Sequence, residues 1–373
     1  MVNNSLVVVV LASGVLYGTP LLYGALGELL AERSGVLNLG VEGMMLMGAV
    51  MGFWAVERVD GPKALVLAVA VGVAALAGAV MAAIHAFLVI TLRANQIVSG
   101  LALTIFAGAA GLSSYLGNDL HLSGKPARYQ FQEILPSSLQ KLPVIGPIVF
   151  GQSLLVYASW ICVLLATLYL TRTRLGLNLR AVGESPAAAD AMGVSVSRYR
   201  YAHTLAGGAF AGVGGAAFSL SITPQWVDGL TQGAGWIAIA LVIFAFWRPT
   251  LCLLGAYLFG AFTALPFALQ DRHLPFGDWF FKTELSQTLP YLATVVALVL
   301  VSSRAARLRF GALQALAPQL QAREIHVGPT ALWTNTLPYL MTIVVLVLAS
   351  ASGARRRLGA PAALGAPYVR EER

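Results

Sequence analysis

Apolar stretches of about twenty residues recur along the chain and restrict its fold more than any other feature. A helical run of that length matches the hydrocarbon thickness of a bilayer. In lipid the backbone must satisfy its own hydrogen bonds, which leaves only helices and closed barrels. The stretches are rich in Leu, Val and Ala and do not alternate with polar residues, so helices are expected. Candidate spans are 5–27, 38–56, 64–92, 96–115, 152–171, 203–222, 233–247, 251–270, 286–303 and 335–350. The expected fold class is all-α: a polytopic helical membrane protein of about 8–10 transmembrane helices. Composition agrees, with 58% hydrophobic and 11% charged residues, where a soluble domain carries about 25% charged. The start, MVNNSLVVVV, lacks a basic flank and a small-residue cleavage site, and reads as a first span.

The net charge of +8 does not indicate nucleic acid, because the basic residues sit in short loops between the spans. That is the positive-inside pattern. The loop 172–200 carries Arg172, Arg174, Arg180, Arg198 and Arg200 and is expected in the cytoplasm. Alternation then places the 28–37 turn, Arg93 and Arg248 inside, and 57–63, 116–150, 223–232 and 271–285 outside, with an external N-terminus. Within 116–150, KLPVIGPIVFG is turn-rich, with apolar residues suited to a membrane surface or a partner. Near the end, TLPYLATVVALVLVSSRAARLR from Thr288 is echoed by TLPYLMTIVVLVLASASGARRR from Thr336. The pair reads as a local duplication. Both copies end in basic clusters that favour the cytoplasm, so the first copy is expected to span conventionally.

No catalytic, nucleotide-binding or metal signature is present. G-x-S-x-G, H-E-x-x-H, C-x-x-C and the Walker loop are all absent. Cys162 and Cys252 lie in apolar runs and predict neither a disulfide framework nor a metal site. No catalytic residue, metal ligand or cofactor is therefore expected. His85 reads as an interhelical hydrogen-bond partner. The stretch ERSGVLNLGVEGMMLMGA, 32–49, sets Glu42 inside the second span, where a charge costs roughly 2.5–3.5 kcal/mol. Glu42 is read either as a pathway or gating group, or as an acid favouring a helix N-terminus. Asn38 suits a cap, and Gly40, Gly43 and Gly48 suit close packing or an interrupted helix. In RANQIVSGLALT, Asn95 and Gln96 offer amides to sugar hydroxyls or base edges, beside a plain reading as cap and interhelical glue. Trp226 and Trp236, near Asp228, are expected as interface anchors. In the loop 176–202, Ser185-Pro186 predicts a short capped helix through Met192, ended by Gly193. A connector this long suggests a function, and a soluble partner's groove suits such a helix.

These stretches resemble the permease subunits of bacterial ABC importers for nucleosides and simple sugars. The likeness is to the branch served by Bmp-type lipoproteins, and more distantly to ribose and branched-chain amino-acid permeases. It rests on residues 19–49, RANQIVSGLAL, residues 179–216 and the tail GAPAALGAPYVREER. The resemblance implies one transmembrane permease domain over 1–373, with 176–202 as its cytoplasmic coupling loop. Gly183, Glu184, Ala188 and Gly193 would couple to an ATPase. It also implies an interrupted second helix beside the substrate pathway, with Asn38, Glu42, Asn95 and Gln96 as candidates. Implied partners are a cytoplasmic ABC ATPase subunit, a second permease subunit in a heterodimer and an extracytoplasmic substrate-binding lipoprotein. The setting is the lipid bilayer of the bacterial cytoplasmic membrane, with no nucleic acid. Residues 288–335 depart from the family and read as an insertion duplicating the terminal helix. The alternatives are a branched-chain amino-acid permease of the same kind, or a secondary ion-coupled transporter.

Overall fold

The computed structural model describes residues 6–269 and 360–368. The two terminal repeats, the spans 286–303 and 335–350 and the segment 288–335 fall outside these. The described chain forms α1 (Leu6–Arg33), α2 (Val41–Arg58), α3 (Lys63–Ala86), α4 (Gln96–Ala107), α5 (Leu112–Asp119) and the single turn α6 (Ser137–Gln140). It continues as α7 (Leu154–Arg172), α8 (Arg174–Glu184), α9 (Pro186–Ala191), α10 (Val196–Ala217), α11 (Ala234–Phe244) and α12 (Pro249–Leu269). Each candidate span up to residue 270 falls on a helix.

Among the described residues, five helical stretches are long and apolar enough to cross a membrane: Leu6–Arg33, Lys63–Thr91, Gln96–Asp119, Leu154–Arg172 and Val196–Ile222. Two of these boundaries differ from expectation. Helix α1 continues past residue 27 to Arg33, because Glu28 and Glu32 find donors inside the protein and need not unwind to reach water. Helix α10 starts at Val196 and takes Arg198 and Arg200 out of the loop.

The centre of the bundle is α1, α2, α10 and α11, with α3 packed along α2 and α10. Their contacts use small residues, which let helix backbones approach closely in lipid. A Cβ at Gly48 would overlap the Gly212 carbonyl, and one at Gly78 would overlap that of Gly208. Large aliphatic side chains point outward from the peripheral helices, including Leu76 on α3, Ile105 on α4, Leu165 on α7 and Leu254 on α12.

The loops sort onto two faces. On one, Arg128 pairs with Asp60 at 2.8 Å and Lys63 reaches Gln132 at 2.8 Å. There too Ala127 N–H donates to Pro224 O at 2.8 Å, and Gln152 Nε2 donates to Ala12 O at 3.3 Å. The segments 57–63, 116–150 and 223–232 and the start of α1 thus share a face, as their expected common side requires. The opposite face gathers the end of α1, α8, α9, the start of α10, the α11–α12 turn and residues 360–368. Thr91, two residues before Arg93, joins it through a hydrogen bond of 2.5 Å to Tyr201.

One expectation changes. Trp226 and Trp236 are buried within the bundle and are not interface anchors, because the 223–236 segment folds inward. In KLPVIGPIVFG, Leu142, Val144 and Ile145 are exposed, whereas the turn Gly146–Phe150 packs on α1. Cys162 and Cys252 are free thiols.

Candidate functional site

Between α1 and α2 the chain runs non-helically from Ser34 to Gly40, yet most of this stretch is buried. Irregular backbone at membrane depth is tolerated only where protein supplies its hydrogen bonds. Here the account closes almost group by group. Val36 N–H donates to Ala31 O at 3.2 Å. Leu37 N–H donates to Gln96 Oε1 at 2.7 Å, and Leu37 O meets His85 Nε2 at 3.1 Å. Asn38 N–H donates to Glu28 Oε1 at 3.1 Å. The Thr104 hydroxyl donates to Leu39 O at 2.8 Å, and Gly40 N–H donates to Asn38 Oδ1 at 3.0 Å. Thr104 lies eight residues into α4, about 12 Å along the helix, so the stretch enters the bundle from the end where α4 begins.

The interruption expected of the second helix therefore lies in front of it. Helix α2 itself is continuous from Val41 to Arg58, and its glycines serve close packing. Asn38 does not cap α2 directly, since Gly40 holds the cap position; its amide closes the turn ahead.

Glu42 stands in the first turn of α2 and is 5% exposed. Its carboxylate accepts from the Thr231 hydroxyl at 2.6 Å, Gly233 N–H at 2.9 Å and Gly235 N–H at 2.7 Å. The last two donors open α11. The helix terminus whose N–H groups Glu42 satisfies thus belongs to another segment, α11, while the dipoles of α2 and α11 both favour the negative charge. Gly235 permits this approach, because a Cβ there would meet the Glu42 backbone at 2.5 Å.

The four pathway candidates do not converge on one open cavity. Glu42 and Asn38 lie together at the start of α2. Gln96 reaches the same segment from α4. Asn95 is exposed and caps α4, accepting from Ile97 N–H at 2.9 Å and Val98 N–H at 3.2 Å. His85 is the interhelical bridge its position implied, with Ser99 Oγ at 3.0 Å from its Nδ1.

Sequence reasoning passed over Glu28 and placed Glu32 in a turn. Both are buried on α1, and Glu32 accepts from the Trp247 indole. Arg33 Nη2 donates to Trp247 O at 3.0 Å. Together they hold the α11–α12 turn, where Phe246 and Trp247 take left-handed backbone angles, φ 52° and 53°, which are costly for side chains of this size. The available signal was two acids one helical turn apart at the end of an apolar run.

The coupling candidates do gather on one face. Helix α9 begins with Pro186 at its first position, although the Ser185 side chain makes no cap bond. It ends as expected: Gly193 has φ 84°, its N–H donates to Asp190 O at 2.9 Å, and Val194 N–H donates to Ala189 O at 3.0 Å. This is a Schellman closure. Glu184, Ala188 and Gly193 face outward with Met192, which is 84% exposed, whereas Gly183 is buried against Arg33 O. Among the described residues no group of His, Cys, Asp and Glu could hold a metal ion.

Long apolar helices, a buried non-helical lead-in to α2 and a short helix presented on the arginine-rich face define a multi-pass membrane protein. The chain belongs to the family described as the permease component of the branched-chain amino acid transport system, which matches residues 10–301. It is 40% identical to a Haloferax volcanii protein provisionally named a glucose ABC transporter permease, over 80% of this chain and 93% of that one. It is 35% identical to the nucleoside ABC transporter permease NupC of Lactococcus lactis, over 82% of this chain and 95% of the relative. It is 32% identical to the guanosine ABC transporter permease NupQ of Bacillus subtilis, over 78% and 91%. Each of these organisms contributes a second, more distant permease match. No solved structure matches the chain.

Proposed function

We propose that this chain is the transmembrane permease subunit of an ATP-driven importer that carries a nucleoside or simple sugar into the cytoplasm. The observation that carries the substrate class is the identity of 32–40% with permeases named for nucleosides, guanosine and glucose across most of both chains. The branched-chain amino acids in the family description are a broader label and are not favoured. The arginine-rich face is the cytoplasmic one on this reading, with ATP hydrolysed by a separate subunit that docks on α9 through Glu184, Ala188 and Gly193. The paired relatives support a second, different permease subunit beside this one. A substrate-binding lipoprotein would deliver the ligand at the opposite face, in a bacterial cytoplasmic membrane.

The pathway residues act on this reading through the segment 34–42. Asn38 and Gln96 hold its backbone, Glu42 fixes it to α11, and Asn95 fixes the start of α4. Substrate would pass along this segment, where two helix starts meet and non-helical backbone can rearrange. The test is uptake by the complex reconstituted with its ATPase, its second permease and its binding protein. Saturable, ATP-dependent uptake of radiolabelled guanosine, ribose or glucose is expected. Saturable leucine uptake without any of these would sink the assignment.

A further inference from the structure

Residues 360–368 return to the arginine-rich face and lie across three elements at once. Ala363 N–H donates to Gly183 O at 2.9 Å, capping a carbonyl in the last turn of α8. Ala362 N–H donates to Glu184 Oε2 at 3.2 Å. Gly365 N–H donates to Gly35 O at 3.2 Å, in the turn that leads into α2. Arg200, in the second turn of α10 and 2% exposed, donates from Nη1 to Ala366 O at 3.1 Å. Pro361 packs beside Gly183, and Ala360 is buried. Tyr368 packs against the small cluster of Val182, Ala189 and Val196, which includes a side chain of α9.

We propose that this C-terminal strap is a coupling brace, which ties the α8–α9 junction to the turn feeding α2 and so carries movement of the ATPase-docking helix to the segment 34–42. The proposal rests on the permease reading given above. The junction it grips is the place where the backbone can bend: Ser185, between α8 and α9, is non-helical at φ −147° and ψ 85°. The strap bonds both residues before that bend and the turn at Gly35. Arg200 is the post of the brace, because it holds the strap from α10, while Gly35 at φ 90° brings the turn close to its guanidinium. A tail that only covered apolar surface would have no need to place its N–H groups on these two chain reversals. Arg200 and the strap are positioning elements and need not touch substrate.

Two variants test this: truncation after Gly359, and Gly365→Pro in the full chain, which removes the N–H donated to Gly35 and forbids the φ of 78° found there. Hydrogen exchange on the permease alone should rise at 184–193 and 33–37 in both and stay unchanged in α3 and α7. In the assembled transporter, ATPase co-purification and ATP hydrolysis should persist, while guanosine uptake per ATP hydrolysed falls at least tenfold. An unchanged uptake-to-hydrolysis ratio in Gly365→Pro overturns the brace, as does unchanged exchange at 184–193. If the truncated chain does not insert, Gly365→Pro alone decides. A wild-type chain that binds no ATPase overturns the permease reading instead, and the exchange measurement, made without ATPase, tells the two failures apart.

Discussion

At the scale of single residues, Glu42 carries the most concentrated set of contacts. Three donors point at one buried carboxylate, and two of them are backbone groups that open α11. Hydrogen bonds to a charged acceptor contribute about 1.5–3 kcal/mol each, and a buried donor left without a partner costs about 1–3 kcal/mol. Glu42→Gln is nearly isosteric but turns one acceptor oxygen into an NH2 group facing a donor. The expected result is a protein destabilised by about 1–3 kcal/mol, with transport reduced at least tenfold because the starts of α2 and α11 separate. Thermal unfolding in detergent and uptake in proteoliposomes check the two parts. Wild-type stability together with wild-type uptake would remove Glu42 from any role. Its importance could be suspected from an acid in an apolar run, but not its partner: Thr231 lies 189 residues away.

Among the elements, α9 shows how local chemistry can fix a shape that tertiary contacts then aim. Pro186 starts it and Gly193 ends it, and both were visible in the sequence. Nothing lies within 4 Å of the Cβ position of Gly193, so a side chain there meets only the backbone strain of φ 84°. Gly193→Ala should cost about 1–2 kcal/mol and leave ATPase association intact. Gly193→Arg adds a long cation to the exposed end of the helix beside Met192. Its expected effect is loss of ATPase co-purification, with the permease still folded by circular dichroism. Retained association and uptake in Gly193→Arg would remove α9 as the docking helix. Helix α2 teaches the converse. Its glycines suggested a break, but a glycine inside a helix also admits a close neighbour, and Gly48 against Gly212 is that case. Composition cannot tell these uses apart, because the neighbour comes from another helix.

For the whole molecule, the partition of loops gives a direct test of orientation. Asp60 is strongly exposed on one face, with 89% of its side chain accessible, and Met192 on the other. With Cys162 and Cys252 replaced by Ser, Met192→Cys should react with a membrane-impermeant maleimide only from the cytoplasmic side, and Asp60→Cys only from outside. Labelling of both from one side would overturn the arrangement. The charges support the expected result. Segments 57–63, 116–150 and 223–232 hold acids and bases in balance, whereas arginines crowd the other face. That asymmetry orients a membrane protein during insertion.

The sequence by itself determined the long apolar helices, their order and how the loops between them divide between two faces. The reason is that lipid offers no hydrogen bonds, so a long apolar run without alternation is helical and the loops at its two ends lie on opposite faces. Only the tertiary structure decided what the polar residues within those runs do. Gln96 spends its amide oxygen on Leu37 N–H, 59 residues away, and Glu184 meets the C-terminal strap across 178 residues. Such pairings depend on which helices are neighbours, and neighbours are chosen by backbone approach at small residues, which no local pattern encodes. A buried stretch of irregular backbone needs a partner for nearly every N–H and C=O, and the chain draws those partners from α1, α3 and α4.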